Sequence, residues 1–206
     1  MATSSIRVLA VDDSEPFRRV LRWILQNKLE LRTIVEAQDG VEAIELAQAL
    51  QPDLILLDIG LPKLNGIEAV RRIRELAPQS KILFVSQESS VDVVQAAFNL
   101  GASGYVVKMD AGSELLTAVD AVLRGERFVG SRFAGHSFTG ASDAGTSEGH
   151  RGNSVFSPFQ QGMEVARRHE AGFYSDDLCF LDGFIQFIGS ALKAEMQLLL
   201  SQPVTP

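Results

Sequence analysis

The chain reads as a doubly wound α/β protein, a parallel five-stranded sheet between two layers of helices, on three observations. Short apolar runs alternate five times with segments of helical period between residues 6 and 125. The runs at Leu54–Leu57 and Ile82–Val85 lack polar alternation, as central strands covered on both faces do. Four runs also end on a reactive or polar residue: Asp12 and Asp13, Asp58, Ser86 and Lys108. In an open parallel sheet the C-terminal strand ends share one edge, so these side chains are expected to converge on one crevice.

In chain order, the strands are expected at Ile6–Val11, Arg32–Ala37, Leu54–Asp58, Ile82–Ser86 and Gly104–Val107. Between them each helix carries one apolar stripe. Phe17, Val20, Leu21, Ile24 and Leu25 recur at i, i+3, i+4, i+7 and i+8, a single face of the first helix. Val91, Val94 and Phe98 do the same in the fourth helix, and Leu115, Val119 and Val122 in the fifth. Gly40 precedes the second helix, Pro78 follows the third and Gly101 closes the fourth, where such residues start or stop helices. Strands alternating with helices of this length pair in parallel through right-handed crossovers. Trp23 on the first helix reads as half-buried packing.

The chemistry follows from the residue type at each strand end. Three carboxylates, Asp12, Asp13 and Asp58, form a like-charge cluster that is costly unless a cation relieves it. A hard divalent ion, Mg²⁺, suits such a set, with few direct carboxylate contacts and retained waters. With the ion screening repulsion between anions, one carboxylate can act as a nucleophile toward phosphorus. Lys108 would supply a mobile point charge and Ser86 a hydroxyl donor for the phosphoryl oxygens. Gly60, Pro62 and Gly66 shape the loop after Asp58. An Asp pair after a first strand also arises simply as the acidic first turn of a helix; it is the full set, in order, that points to a site.

Residues 6 to about 128 resemble the CheY-like receiver domain of bacterial two-component response regulators, nearest to the subgroup that bears a C-terminal helix-turn-helix; Gly125-Glu-Arg-Phe128 is similar to that subgroup too. The resemblance implies a flavodoxin-like fold with strand order 2-1-3-4-5. It implies a phosphorelay role in which Asp58 is the phosphoacceptor, Asp12, Asp13, Asp58 and the Gly60 carbonyl hold Mg²⁺, and Lys108 and Ser86 contact the phosphoryl group. Tyr105 would be the aromatic switch that follows Ser86. The chain departs from the family at Met109, where many receivers have proline after the lysine, and at Gln87, larger than the small residue that often follows the switch hydroxyl. The partners expected are a sensor histidine kinase, an output protein and a second copy of the chain, through the receiver surface or a C-terminal helix. The chain is then a phosphoprotein and not a turnover enzyme.

Composition limits the alternatives. A net charge of −7 argues against non-specific attraction to nucleic acid, and the pairs Arg18/Arg19, Arg71/Arg72 and Arg167/Arg168 read as solvated helix faces. The single cysteine, Cys179, excludes an internal disulfide framework and fits a reducing compartment. Neither a secretory signal nor an uncharged run of membrane-spanning length is read, so a cytoplasmic location without membrane contact is expected. Two other classes stay open. A Mg²⁺-dependent phosphohydrolase would also use an aspartate nucleophile, but wants a second acid two residues on, where Gly60 stands. A nucleotide-binding domain would want a glycine-rich phosphate loop after the first strand.

The receiver is expected to end near residue 130. Residues 131–167, rich in Gly and Ser at first, read as a flexible linker. Residues 168–206 read as a short segment and a long helix, N-capped by Ser175, with Leu178, Leu181, Ile185, Ile188, Leu192, Met196 and Leu199 forming a heptad-like seam. His169 to Lys193, with Gly-Phe-Tyr-Ser-Asp-Asp and Leu-Asp-Gly-Phe, resembles the opening of the sensory domain found in a dichloromethane-responsive regulator of methylotrophs; about forty residues match, which implies a truncated sensor. A receiver whose C-terminal segment senses a ligand is a further functional alternative. Helix-turn-helix stripes with clustered basic residues are not found after the receiver, so direct DNA contact is not expected.

Overall fold

The computed structural model describes residues 6–26 and 31–139. The expected linker from residue 140 onward and the C-terminal segment, with its helix, Cys179 and His169, lie outside the described residues. The elements run β1 (Ile6–Val11), α1 (Glu15–Gln26), β2 (Leu31–Ala37), α2 (Gly40–Leu50), β3 (Leu54–Leu57), α3 (Gly66–Leu76), β4 (Lys81–Ser86), α4 (Val91–Asn99), β5 (Gly104–Val107), α5 (Ala111–Arg124) and β6 (Phe128–Val129), with 3₁₀ turns at Lys108–Asp110 and Ser131–Phe133. All strands pair in parallel in the order β2-β1-β3-β4-β5-β6.

The flavodoxin-like order 2-1-3-4-5 is present, with one correction: the sheet has six strands, not five. β6 has only two residues, too few to show a period, and it forms because the β5 edge offers partners. Phe128 N–H donates to the Ser103 carbonyl (3.1 Å) and Gly130 N–H to the Tyr105 carbonyl (2.9 Å).

Alternate strand residues face two layers of core. Leu9, Val11, Ile55, Leu57, Phe84 and Tyr105 join the inner faces of α2, α3 and α4 in one continuous apolar cluster. On the opposite side α1 packs beside α5. The α1 stripe is buried at every expected position, as are Leu115, Val119 and Val122 of α5. In α4, Val94 and Phe98 are buried, but Val91, at the first turn, is 37% exposed. Trp23, expected to be half-buried, is 44% exposed.

Helix ends follow local chemistry. α2 is capped by Asp39, whose carboxylate accepts from Val41 N–H and Glu42 N–H at 2.9 Å each, so Gly40 is the first helical residue and not the stop before it. Asn65 caps α3 by accepting from Glu68 N–H. Gly66 allows the closest approach at the site: a Cβ there would collide with the backbone carbonyl of Asp58.

One boundary differs from expectation. Where a flexible linker was expected from residue 131, residues 131–139 pack on the domain: Phe133 is buried and Phe138 lies against the core cluster. Two phenylalanines bury enough apolar surface to hold a stretch whose glycine and serine content alone would leave it loose.

Candidate functional site

The crevice lies at the C-terminal ends of β1, β3, β4 and β5. Asp12 directly follows β1 and Asp58 directly follows β3; both carboxylates are buried, while Asp13 is exposed. One carboxylate oxygen from each of Asp12, Asp13 and Asp58 lies within 4.8 Å of the others. Lys108 begins the 3₁₀ turn after β5, so the end of that strand, not its pleat, aims the side chain. Its buried ammonium is 2.7 Å from Asp58 Oδ2 and 2.7 Å from Asp12 Oδ2.

The remaining carboxylate oxygens are held by backbone. Asp58 Oδ1 accepts from Ile59 N–H (2.6 Å) and Asp12 Oδ1 from Ser14 N–H (2.9 Å). Asp12 Oδ2, although close to the ammonium, is buried without a well-directed hydrogen bond. Gly60 is exposed beside the crevice, and a Cβ there would stand 3.7 Å from Asp58 Oδ2. Ser86 ends β4 with a buried hydroxyl that accepts from Glu88 N–H at 3.4 Å. Tyr105, fully buried on β5, donates its hydroxyl to the Glu88 carbonyl at 2.8 Å, which ties this tyrosine to the loop before α4.

The electrostatics match this crowding. Burial pushes the Asp12 carboxyl up to about 7; the Lys108 charge opposes the rise and the Asp58 charge adds to it. Burial alone would lower the Lys108 ammonium, but the two facing carboxylates outweigh it and hold the group above its ordinary value. Burial raises the Tyr105 hydroxyl, as do the nearby charges of Asp58 and Glu88.

Each residue expected at the site is thus at or beside one crevice, with Tyr105 one step back along β5. Two neighbours were not foreseen. The Phe17 ring lies under the Lys108 ammonium, 4.8 Å from ring centre to Nζ, a cation–π contact that supports the lysine from the α1 side. Arg18 is not a solvated helix-face residue: its guanidinium donates to the Asp12 carbonyl (2.6 Å) and to Glu36 (3.2 Å), clamping the end of β1 to β2. Both belong to the α1 stripe or its flank, and nothing in their spacing separates a site contact from ordinary packing.

This fold and this pocket define a receiver, and comparison with known proteins agrees. The family profile of the response regulator receiver domain matches residues 8–120, and the chain belongs to that family. The chain is 39% identical over 119 residues to the chemotaxis protein CheY of Halobacterium salinarum, covering 98% of that protein and 54% of this chain. It is 33% identical over 126 residues to the transcriptional regulatory protein DegU of Brevibacillus brevis, covering 61% of this chain and 53% of DegU. Among solved structures, it is similar to a two-component response regulator of the LuxR family from Aurantimonas, with 34% identity and a TM-score of 0.60 over 64% of this chain and 94% of that one. It is likewise similar to the response regulator domain of Thermotoga maritima CheB, with 33% identity and a TM-score of 0.54 over 58% and 97%. The chain spans about half the length of curated relatives such as DegU. It is a two-component receiver with relatives of the LuxR and NarL type. Among the described residues, no helix is long and apolar enough to cross a membrane.

Proposed function

We propose that Asp58 accepts a phosphoryl group from a sensor histidine kinase and that the state of Asp58 sets the surface built by α4, β5 and α5. The observation that carries this reading is the Asp58 carboxylate, buried at a strand end, with the Lys108 ammonium 2.7 Å from Oδ2. In the transfer, Asp58 attacks phosphorus; the phosphorus–nitrogen bond to the donor imidazole breaks, its electron pair stays with the imidazole, and a phosphorus–oxygen bond to Asp58 forms.

A divalent ion fits the residues present, because oxygens of Asp12, Asp13 and Asp58 lie within 4.8 Å of one another and the buried Asp12 Oδ2 has no well-directed hydrogen bond beside its 2.7 Å ion pair with Lys108. Asp12, Asp13 and Asp58 with the Gly60 carbonyl would hold Mg²⁺, which when bound screens the repulsion between carboxylate and phosphoryl oxygens. Lys108 turns part of its charge to the phosphoryl oxygens as they arrive. Ser86 exchanges its weak contact with Glu88 N–H for a bond to the same oxygens. That exchange moves the loop carrying Glu88, and the Tyr105 hydroxyl, bonded to the Glu88 carbonyl, registers it. The output is a change in affinity for a partner protein, a population shift without turnover.

The regulators DegU and NarL carry names that speak of transcription and nitrate response. This chain covers about half of each, and its acidic balance of −7 supports a protein partner over DNA. Incubation with acetyl phosphate and Mg²⁺ is expected to label the wild-type chain and not Asp58→Asn. Full labelling of that variant contradicts the assignment. Steady release of phosphate from simple phosphate esters would instead support a phosphohydrolase.

A further inference from the structure

The segment after the sheet is built onto the face through which Tyr105 would signal. It enters as β6 on the open edge of β5, through the Gly130 N–H bond to the Tyr105 carbonyl. Glu114 of α5 then receives both the backbone N–H (3.0 Å) and the hydroxyl of Ser131, and Arg132 forms an ion pair with Asp110 before α5. Phe133 turns inward, 4% exposed, and meets the Tyr105 ring edge to face at 5.9 Å. Phe138 stacks on Phe98 of α4 at 5.6 Å, and the Thr139 carbonyl accepts from the Gln95 amide of α4 at 2.7 Å. Residues 128–139 thus run from the β5 edge to α4.

Tyr105 is flanked on the sheet side by Phe84 at 6.1 Å and on the edge side by Phe133. An outward turn of its ring, toward the β6 side, would lead into the space that Phe133 fills. We propose that residues 128–139 are a strap, an intramolecular occupant of the α4–β5 face, and that Phe133 is the wedge holding Tyr105 inward. A partner for this face must then displace the chain's own strap. Whatever favours the inward Tyr105 also favours the docked strap, and by linkage the docked strap favours whatever stabilises inward Tyr105. The coupling to Asp58 rests on its being the phosphoacceptor; the hold on Tyr105 does not.

The test uses the full chain, with nitration of Tyr105 by tetranitromethane followed in its peptide by mass spectrometry, with and without beryllofluoride and Mg²⁺. Slow nitration is expected in the wild type, rising about fivefold or more in Phe133→Ala and by a smaller factor in Arg132→Ser, which leaves the core untouched. Beryllofluoride is expected to protect Tyr105 in Phe133→Ala and to bind that variant more weakly than the wild type, an effect that mere loss of packing would not produce. Equal nitration of wild type and both variants, with native circular dichroism in each, overturns the wedge. Should Phe133→Ala not fold, Arg132→Ser decides by the same comparison. If beryllofluoride changes nothing in any chain, the Asp58 coupling falls, while the nitration ratios still judge the strap.

Discussion

Asp12 shows how the site holds a cost in readiness. Its carboxyl is raised to about 7, chiefly by burial, against an ordinary value near 3.8. The native state therefore keeps a proton that the unfolded chain has lost between those values, and stability falls as pH rises through that window. Thermal unfolding without divalent ions is accordingly expected at a lower temperature at pH 8 than at pH 5, once the global charge effect is matched with Asp12→Asn. That variant keeps an oxygen for Ser14 N–H and removes one charge from the cluster. It is expected to melt higher than the wild type at pH 8 without metal and to lose most of the stabilisation that Mg²⁺ gives the wild type. Equal Mg²⁺ shifts in the two proteins would remove Asp12 from the ion's ligands. Lys108→Ala acts in the opposite sense: it leaves two buried carboxylates facing each other, and breaking such a buried pair costs about 3–5 kcal/mol, read as a lowered denaturation midpoint. The strand-end residues were legible because each closes an apolar run, and the run itself aims the side chain. Phe17 and Arg18 were not, because an α1 side chain shows its role only when the lateral placement of α1 beside β1 and the Lys108 turn is known.

At the scale of elements, period decided what could be read. β1, β3 and β5 agree with expectation to within a residue, and the α1 and α5 stripes are buried as written. Short or composition-masked elements failed: β6 has two residues, and the strap hides Phe133 and Phe138 among glycine and serine. Gly40 lies inside α2 and not before it, because the side chain of Asp39 takes the capping role. One helix start bears on the site and a second does not. Gly66→Ala would press a methyl group into the Asp58 carbonyl; such overpacking costs about 1–3 kcal/mol, and it should also slow Asp58 labelling because β3 and the loop after it must shift. Asp39→Ala removes two backbone caps and the ion pair to Lys63, for a loss of about 1 kcal/mol in urea unfolding with labelling unchanged.

For the whole molecule, the parallel sheet divides labour between its two ends. The C-terminal strand ends gather Asp12, Asp58, Ser86 and Lys108 in one acidic crevice, and the β5 edge, a few residues away, carries Tyr105 and the strap. The link between them is short: Ser86 to the Glu88 backbone, and the Glu88 carbonyl to the Tyr105 hydroxyl. On the proposed reading, one sheet would serve as both receiver of a charge and lever for a surface. Everything proposed for this crevice depends on Asp58 as the acceptor, and the most direct test is to phosphorylate the full chain with acetyl phosphate and Mg²⁺, reduce the acyl phosphate with borohydride and locate the product by peptide mass spectrometry. Homoserine at position 58, dependent on Mg²⁺ and in no other aspartate, is the predicted result. Reduction at another aspartate, or none while intact protein carries phosphate, would contradict it.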